Sequence, residues 1–129
     1  IWARSQYPLA DSIYRHGLIV KLDSDSTSYV QNEGIRRWSF NNTLSLVKQL
    51  SAWVDNQTVV VHLVGWQGSG HDTLYPSLDK INPNVGSSSD LYWLADASSQ
   101  YNTIISYHIN TDEACESQSA RSPAARTCL

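Results

Sequence analysis

Three short apolar runs, spaced about 40 residues apart, constrain the fold of this 129-residue chain more than any other feature. They centre near positions 20, 61 and 106, and the most continuous is Thr-Val-Val-Val-His-Leu-Val at residues 58–64. An uninterrupted, β-branched run is typical of a strand buried on both faces of a parallel sheet. Parallel neighbours need a helical crossover between them, so the spacing predicts a βαβαβ unit.

The two intervening segments carry the helical pattern that such crossovers require. The first, residues 41–54, has apolar side chains at helical spacing: Leu44, Val47, Leu50 and Val54. Asn41 stands ahead of them and can cap the first turn. The second helix is predicted to open at residues 88–90, to carry Leu91 and Leu94 on its inner side and to end at Asn102. A third strand is then predicted over residues 103–109.

This period, with long loops after the strands, predicts an α/β fold that is part of a (β/α)₈ barrel. A closed barrel needs about 250 residues, so the chain would hold about three of its eight βα units. Residues 116–129 show no periodicity and almost no large apolar residue. We therefore expect a barrel fragment over residues 1–115 and a disordered or non-native tail over 116–129. Our hypothesis for the origin of the tail is a shifted reading frame, a misread intron or a truncated gene model.

Charge and hydropathy patterning argue against two classes of partner. The net charge is −3 and the nine Lys and Arg residues are scattered, which disfavours nucleic acid. No apolar run approaches the roughly 20 residues that span a bilayer, so no membrane partner is expected. The chain contains no Met and begins at Ile1, so the absence of a signal peptide says nothing about secretion. Asn41-Asn-Thr43 and Asn56-Gln-Thr58 are glycan acceptors if the chain enters a secretory pathway.

Polar and ring-bearing side chains follow the second and third apolar runs. In a parallel sheet these positions lie at the carboxyl edge, where α/β enzymes bind ligands. His108 and Asn110 are two residues apart and therefore share one face of the strand. Imidazole, amide and carboxylate groups can hydrogen-bond sugar hydroxyls, and an indole face can stack on sugar C–H groups. The pattern predicts a carbohydrate site built from Trp66, Gln67, His71, Asp72, His108 and Asn110. The mid-strand His62 is predicted to be structural.

Two other interpretations stay open. A metal-dependent hydrolase could draw a two-His, one-carboxylate set from His71, Asp72, His108, Asp112 and Glu113, but no pair has compact metal-site spacing. We therefore expect no metal and no cofactor. A small carbohydrate-binding module that folds alone is the second alternative.

Residues 64–76, Val-Gly-Trp-Gln-Gly-Ser-Gly-His-Asp-Thr-Leu-Tyr-Pro, and residues 107–114, Tyr-His-Ile-Asn-Thr-Asp-Glu-Ala, resemble the endo-α-N-acetylgalactosaminidase family of glycoside hydrolases. The similarity covers about residues 17–114, and the separation of 37 residues between His71 and His108 suits the family. It implies a secreted or cell-surface retaining enzyme that removes a Gal-GalNAc disaccharide from Ser or Thr of mucin-type glycoproteins. The carbohydrate partner would accordingly be an O-glycan or a galactoside. By the same resemblance, His71, Asp72 and His108 would hold the sugar in the −1 subsite, with Asn110 and Gln67 as further contacts.

The resemblance also implies that the chain lacks its catalytic carboxylates. In this family the nucleophile and the acid/base come from later strands. Asp112 and Glu113 are neighbours on one strand end and point apart, which is a poor geometry for flanking one bond. We therefore expect substrate-contact residues without a catalytic pair, and no turnover by the 129 residues alone.

Overall fold

The computed structural model describes residues 13–25, 37–71, 73 and 78–109. Residues 13–16 are helical and precede the sheet. The sheet and its helices are β1 (Leu18–Asp23), α1 (Phe40–Trp53), β2 (Val59–Val64), α2 (Ser88–Ser99) and β3 (Thr103–Tyr107). Strands and helices alternate along the chain, which confirms the predicted βαβαβ unit.

The three strands form one parallel sheet in the order β1-β2-β3. Leu18 of β1 pairs with Val59 of β2, which pairs in turn with Thr103 of β3. This sheet is compatible with part of a glycoside hydrolase barrel, and the count of eight βα units stays a prediction. The predicted boundary at residue 115 and the tail over 116–129 lie outside the described residues.

The hydrophobic core lies between one face of the sheet and the two helices. Every second residue of β2 belongs to it, and Val59, Val61 and Leu63 are completely buried. The helices contribute Phe40, Leu44, Val47 and Leu50 from α1 and Leu91 and Leu94 from α2. The predicted inner faces of both helices are therefore confirmed, because their apolar spacing of three and four residues fits the 3.6-residue helical turn.

The ends of the helices differ from the sequence prediction. α1 begins at Phe40, and its N-cap is Ser39, whose hydroxyl accepts from the backbone N–H of Asn42 at 3.3 Å. The prediction that Asn41 caps this helix is wrong, because burial of Phe40 in the core moves the N-cap two residues earlier, to Ser39. α2 ends at Ser99, and Asn102 has φ +49°, outside the right-handed helical region. β3 ends at Tyr107 instead of residue 109.

The opposite face of the sheet has no helix against it in the described part of the chain. Ile19, Val60 and Ile104 are register partners across this face, and the two isoleucines are 43% and 42% exposed. Lys21, His62 and Ser106 form the next row toward the carboxyl edge. In a (β/α) barrel this face would point toward the barrel axis.

Candidate functional site

The structure brings His71 and His108 together at the carboxyl edge of the sheet. Their ring centroids are 5.4 Å apart and the ring planes differ by 16°, so the two imidazoles are stacked. Both side chains are partly exposed. One residue follows β2 and the other follows β3, and it is the parallel pairing of these strands that places them side by side. Two imidazoles in this arrangement can donate to or accept from neighbouring hydroxyls of one ligand.

His108 is positioned by the end of the β2–β3 ladder. Its backbone N–H donates to the carbonyl of Leu63 at 2.9 Å, which continues the strand pairing one residue beyond Tyr107. Its carbonyl accepts from the indole N–H of Trp66 at 3.0 Å. By strand alternation His108 lies on the same face as Ser106, away from the helices.

His71 is positioned by a tight loop that folds back over the end of β1. The N–H of Gly70 donates to the carbonyl of Gln67 at 3.2 Å, and the N–H of His71 donates to the carbonyl of Asp25 at 3.1 Å. Gly65 and Gly70 have φ +71° and +131°, backbone conformations that favour glycine. The run of glycines in this part of the sequence is therefore explained by the turn that returns His71 to the sheet edge.

Trp66 is almost completely buried, with 5% of its surface exposed. Its ring packs on Tyr107, with centroids 4.9 Å apart and planes tilted by 46°. Its N–H is committed to the carbonyl of His108. Trp66 therefore packs against the end of β3 and is not exposed as the open platform for a sugar that the sequence predicted. A contact between Trp66 and a sugar stays a prediction.

Gln67 is also buried, with 1% exposure. Its side-chain nitrogen donates to the carbonyl of Thr73 at 2.9 Å, and its backbone forms an isolated antiparallel bridge with Ile81. Its side-chain oxygen has no hydrogen-bond partner in the part of the chain that the structure describes. The amide nitrogen therefore holds the loop that carries His71, while the oxygen keeps its accepting capacity.

Two of the six predicted site residues, Asp72 and Asn110, lie outside the described residues. In the sequence, Asp72 directly follows His71, and Asn110 lies two residues after His108. Their roles stay predictions.

Asp25 is a residue of this edge that the sequence analysis did not single out. It is completely buried, and its carboxylate accepts from the side-chain amide of Asn82 at 3.0 Å. The guanidinium Nε of Arg37 lies 3.6 Å from the same oxygen. The sequence contains a signal for it, because Asp23-Ser24-Asp25 places two carboxylates directly at the end of the first strand.

Burial changes the electrostatics of Tyr107, the last residue of β3, which directly precedes His108. Partial burial, together with the nearby Tyr92, raises the pKa of Tyr107 above its ordinary value. Its phenol is therefore neutral at physiological pH and packs on Trp66 as an uncharged ring.

The described residues contain neither a membrane-spanning helix nor a metal-binding cluster. The helices there are too short or too polar to cross a membrane. No group of three or more His, Cys, Asp or Glu residues in the described part could hold a metal ion. Asp72, Asp112 and Glu113, which the metal interpretation used, lie outside that part.

A parallel sheet with crossover helices on one face and ring-bearing polar residues at its carboxyl edge is an arrangement on which many α/β enzymes build their sites. The class of protein is given by a family model for glycoside hydrolases, described as endo-alpha-N-acetylgalactosaminidase, which matches residues 21–124. The chain therefore belongs to the endo-α-N-acetylgalactosaminidase family, as the resemblance in the sequence indicated. Comparison with curated protein sequences gives no significant match.

Solved structures of the α-N-acetylgalactosaminidase NagBb from Bifidobacterium bifidum are similar in fold over 93% of this chain. The complex of NagBb with Gal-NHAc-DNJ is 17% identical with a TM-score of 0.68. The ligand-free form and the GalNAc complex are each 16% identical, with TM-scores of 0.64 and 0.63. At this identity the likeness shows the fold alone. The chain spans 24%, 20% and 23% of the ligand-free, Gal-NHAc-DNJ and GalNAc-bound chains, respectively.

Proposed function

We propose that this chain forms part of the −1 sugar subsite of a retaining glycoside hydrolase that releases Gal-GalNAc from Ser or Thr of mucin-type glycans. The observation that carries this proposal is the stacked pair of His71 and His108 at the carboxyl edge of the sheet. Membership of the endo-α-N-acetylgalactosaminidase family supports the choice of substrate. The GalNAc-bound form of NagBb, a neighbour in fold, is consistent with a GalNAc-type ligand.

The residues of the site divide by exposure into two groups. His71 and His108 are partly exposed, so we assign them direct hydrogen bonds to sugar hydroxyls. We assign the same role to Asp72 and Asn110, as the family resemblance implies. Trp66 and Gln67 are buried behind them, and we assign them the task of holding the two strand ends. A contact of either residue with the sugar would require a movement that exposes the side chain.

Retaining hydrolysis needs a carboxylate nucleophile and a carboxylic acid about 5 Å apart across the scissile bond. Asp25, the buried carboxylate that the structure describes at this edge, is covered by the His71 loop and bonded to Asn82. We therefore propose that the two catalytic carboxylates belong to residues outside this chain and that these 129 residues supply binding without bond cleavage.

The experiment that tests this function uses the full-length protein that contains the chain. Hydrolysis of an aryl α-glycoside of Gal-GalNAc is measured for the unchanged protein and for His71→Ala and His108→Ala. Each substitution removes one or two hydrogen bonds to the sugar, so we expect kcat/KM to fall by about ten- to a hundredfold.

The matched control is His16→Ala, because His16 is exposed and precedes β1 at the opposite edge of the sheet. We expect this variant to keep full activity. Activity that survives both site substitutions would contradict the proposed subsite. Binding of GalNAc by the full-length protein without any hydrolysis would instead favour the carbohydrate-binding module.

We further propose that the protein acts outside the cell, as the family resemblance implies. Both sequon asparagines, Asn41 and Asn56, are exposed in the structure. Secretion from a eukaryotic host, followed by mass spectrometry before and after enzymatic deglycosylation, tests whether they accept glycans. An intracellular, unmodified product from its own source would contradict this proposal.

A further inference from the structure

Asp25 joins three parts of the carboxyl edge although it is completely buried. Its main-chain carbonyl accepts from the N–H of His71 at 3.1 Å. Its carboxylate accepts from the amide of Asn82 at 3.0 Å and faces the guanidinium of Arg37 at 3.6 Å. A buried carboxylate costs folding free energy unless hydrogen bonds and charges compensate it, and here Asn82 and Arg37 supply that compensation.

The loop that carries His71 is packed directly on Asp25. A Cβ atom at Gly65 would lie 2.6 Å from the carbonyl oxygen of Asp25 and 2.8 Å from its nitrogen. A Cβ atom at Gly70 would lie 3.2 Å from the same oxygen. Both ends of the loop therefore approach the Asp25 backbone as closely as glycine allows, and the position of the loop depends on where Asp25 lies.

Asn82 transmits the position of the carboxylate to the end of β2. The same side-chain nitrogen that binds Asp25 also donates to the carbonyl of Gly65 at 3.0 Å. The backbone N–H of Asn82 donates to the carbonyl of Trp66 at 2.9 Å. Trp66 in turn donates to the carbonyl of His108, so a chain of hydrogen bonds connects Asp25 to the backbone of both His71 and His108.

We propose that Asp25 is a positioning residue that sets the geometry of the His71–His108 pair without touching the sugar. The effect of this geometry on sugar affinity rests on the proposed function. The placement of the His71 ring by Asp25 does not depend on the proposed function, because it can be observed without any ligand.

The substitution that tests the proposal is Asp25→Asn, which keeps the size of the side chain but removes its charge opposite Arg37. Displacing a group that contacts the sugar by about 1 Å can strongly weaken its interaction with the sugar. We expect Asp25→Asn to weaken GalNAc binding by about tenfold, and to weaken it less than twofold when His71→Ala is already present, because coupled residues give non-additive effects. Isothermal titration of the full-length protein, well below the melting temperature of each variant, measures both changes.

A second readout follows the His71 ring itself. In spectra of protein labelled with ¹³C-histidine, Asp25→Asn is expected to move the ring signals of His71 and His108, which His71→Ala and His108→Ala assign. The signals of His16 and His62, which lie away from the loop, are expected to stay in place. Unmoved His71 signals would overturn the proposal, whatever happens to the affinity.

The matched control for general destabilisation is Ser51→Ala. Ser51 is 5% exposed and donates to the side chain of Asn56 at 3.1 Å, before the start of β2 and far along the sheet from Asp25. The Ser51→Ala substitution should lower the melting temperature without changing GalNAc affinity or the His71 signals. Equal weakening of GalNAc binding by Asp25→Asn with and without His71 would overturn the positioning role. If the His71 signals move but neither Asp25→Asn nor His71→Ala changes GalNAc affinity, the positioning role stands and the proposed sugar site fails.

Discussion

Trp66 connects the two strand ends at which the candidate site is built. Its residue type suggested a platform for a sugar ring, whereas the structure buries the ring against Tyr107 and directs its N–H to His108. A buried N–H needs an acceptor, and the carbonyl just beyond β3 is one that the β2–β3 ladder brings within reach. The indole therefore contributes to the site through the backbone of His108.

We expect Trp66→Phe to lower the free energy of unfolding by about 1–2 kcal/mol. Phenylalanine keeps much of the apolar volume but removes the N–H that the carbonyl of His108 accepts. Urea unfolding followed by far-UV circular dichroism measures the loss. The control is Trp53→Phe, since Trp53 is 75% exposed and should change stability by less than about 0.5 kcal/mol. Equal losses in the two variants would show that the buried hydrogen bond makes no net contribution.

Helix α2 begins with a capping box made by two side chains. The carboxylate of Asp90 accepts from the backbone N–H of Ser87 at 2.8 Å and from its hydroxyl at 2.6 Å. The hydroxyl of Ser87 accepts from the N–H of Asp90 at 3.2 Å. Hydrogen bonds from Ser87 hold the pKa of Asp90 below its ordinary value of 3.8. The folded state therefore favours the ionised carboxylate.

This shift fixes the sign of a pH dependence. A depressed pKa contributes stability that is present above the unfolded value and is lost as the pH falls through the folded value. We expect Asp90→Asn to lower the melting temperature at pH 7, and the difference from the unchanged protein to shrink as the pH falls below 3.8. Thermal unfolding followed by circular dichroism between pH 7 and pH 3 measures this. Asp96→Asn, outside the capping box on the same helix, should have a smaller effect at pH 7. A constant difference for Asp90→Asn across this range would contradict the role of the ionised carboxylate.

At the scale of the whole molecule, one face of the sheet is covered by helices and the other carries exposed apolar residues. Ile19 and Ile104 flank Val60 on that second face, and each isoleucine is more than 40% exposed. Contiguous exposed apolar surface on a sheet favours association with other chains.

We expect the isolated 129-residue chain to self-associate and to show no hydrolysis of an aryl α-glycoside of Gal-GalNAc. Light scattering over a concentration series and a standard release assay measure these two properties. The double variant Ile19→Thr with Ile104→Thr should stay monomeric at concentrations where the unchanged chain associates. Leu78→Thr removes an exposed apolar side chain of the segment between β2 and α2, outside the three strands, and should not have that effect. Hydrolysis by the isolated chain would show that its own residues complete the catalytic site.

The order and type of the elements follow from the sequence because their signals are local. The buried run at residues 59–64 needs only its own β-branched side chains to be identified as a strand, and the apolar spacing in α1 identifies its inner face. The ends of the elements are less local. Ser39 caps α1 because Phe40 packs in the core and donates its N–H to Val85, a contact between residues far apart in the chain.

For the site, the sequence by itself determined that His71 and His108 follow adjacent strands, since parallel pairing brings the carboxyl ends of β2 and β3 to one edge. Only the tertiary structure decided that their rings stack, that Trp66 faces inward and that Asp25 holds the His71 loop. The physical reason is that burial and hydrogen bonding at this edge depend on the joint packing of loops that follow different strands. No periodicity within one segment encodes that packing.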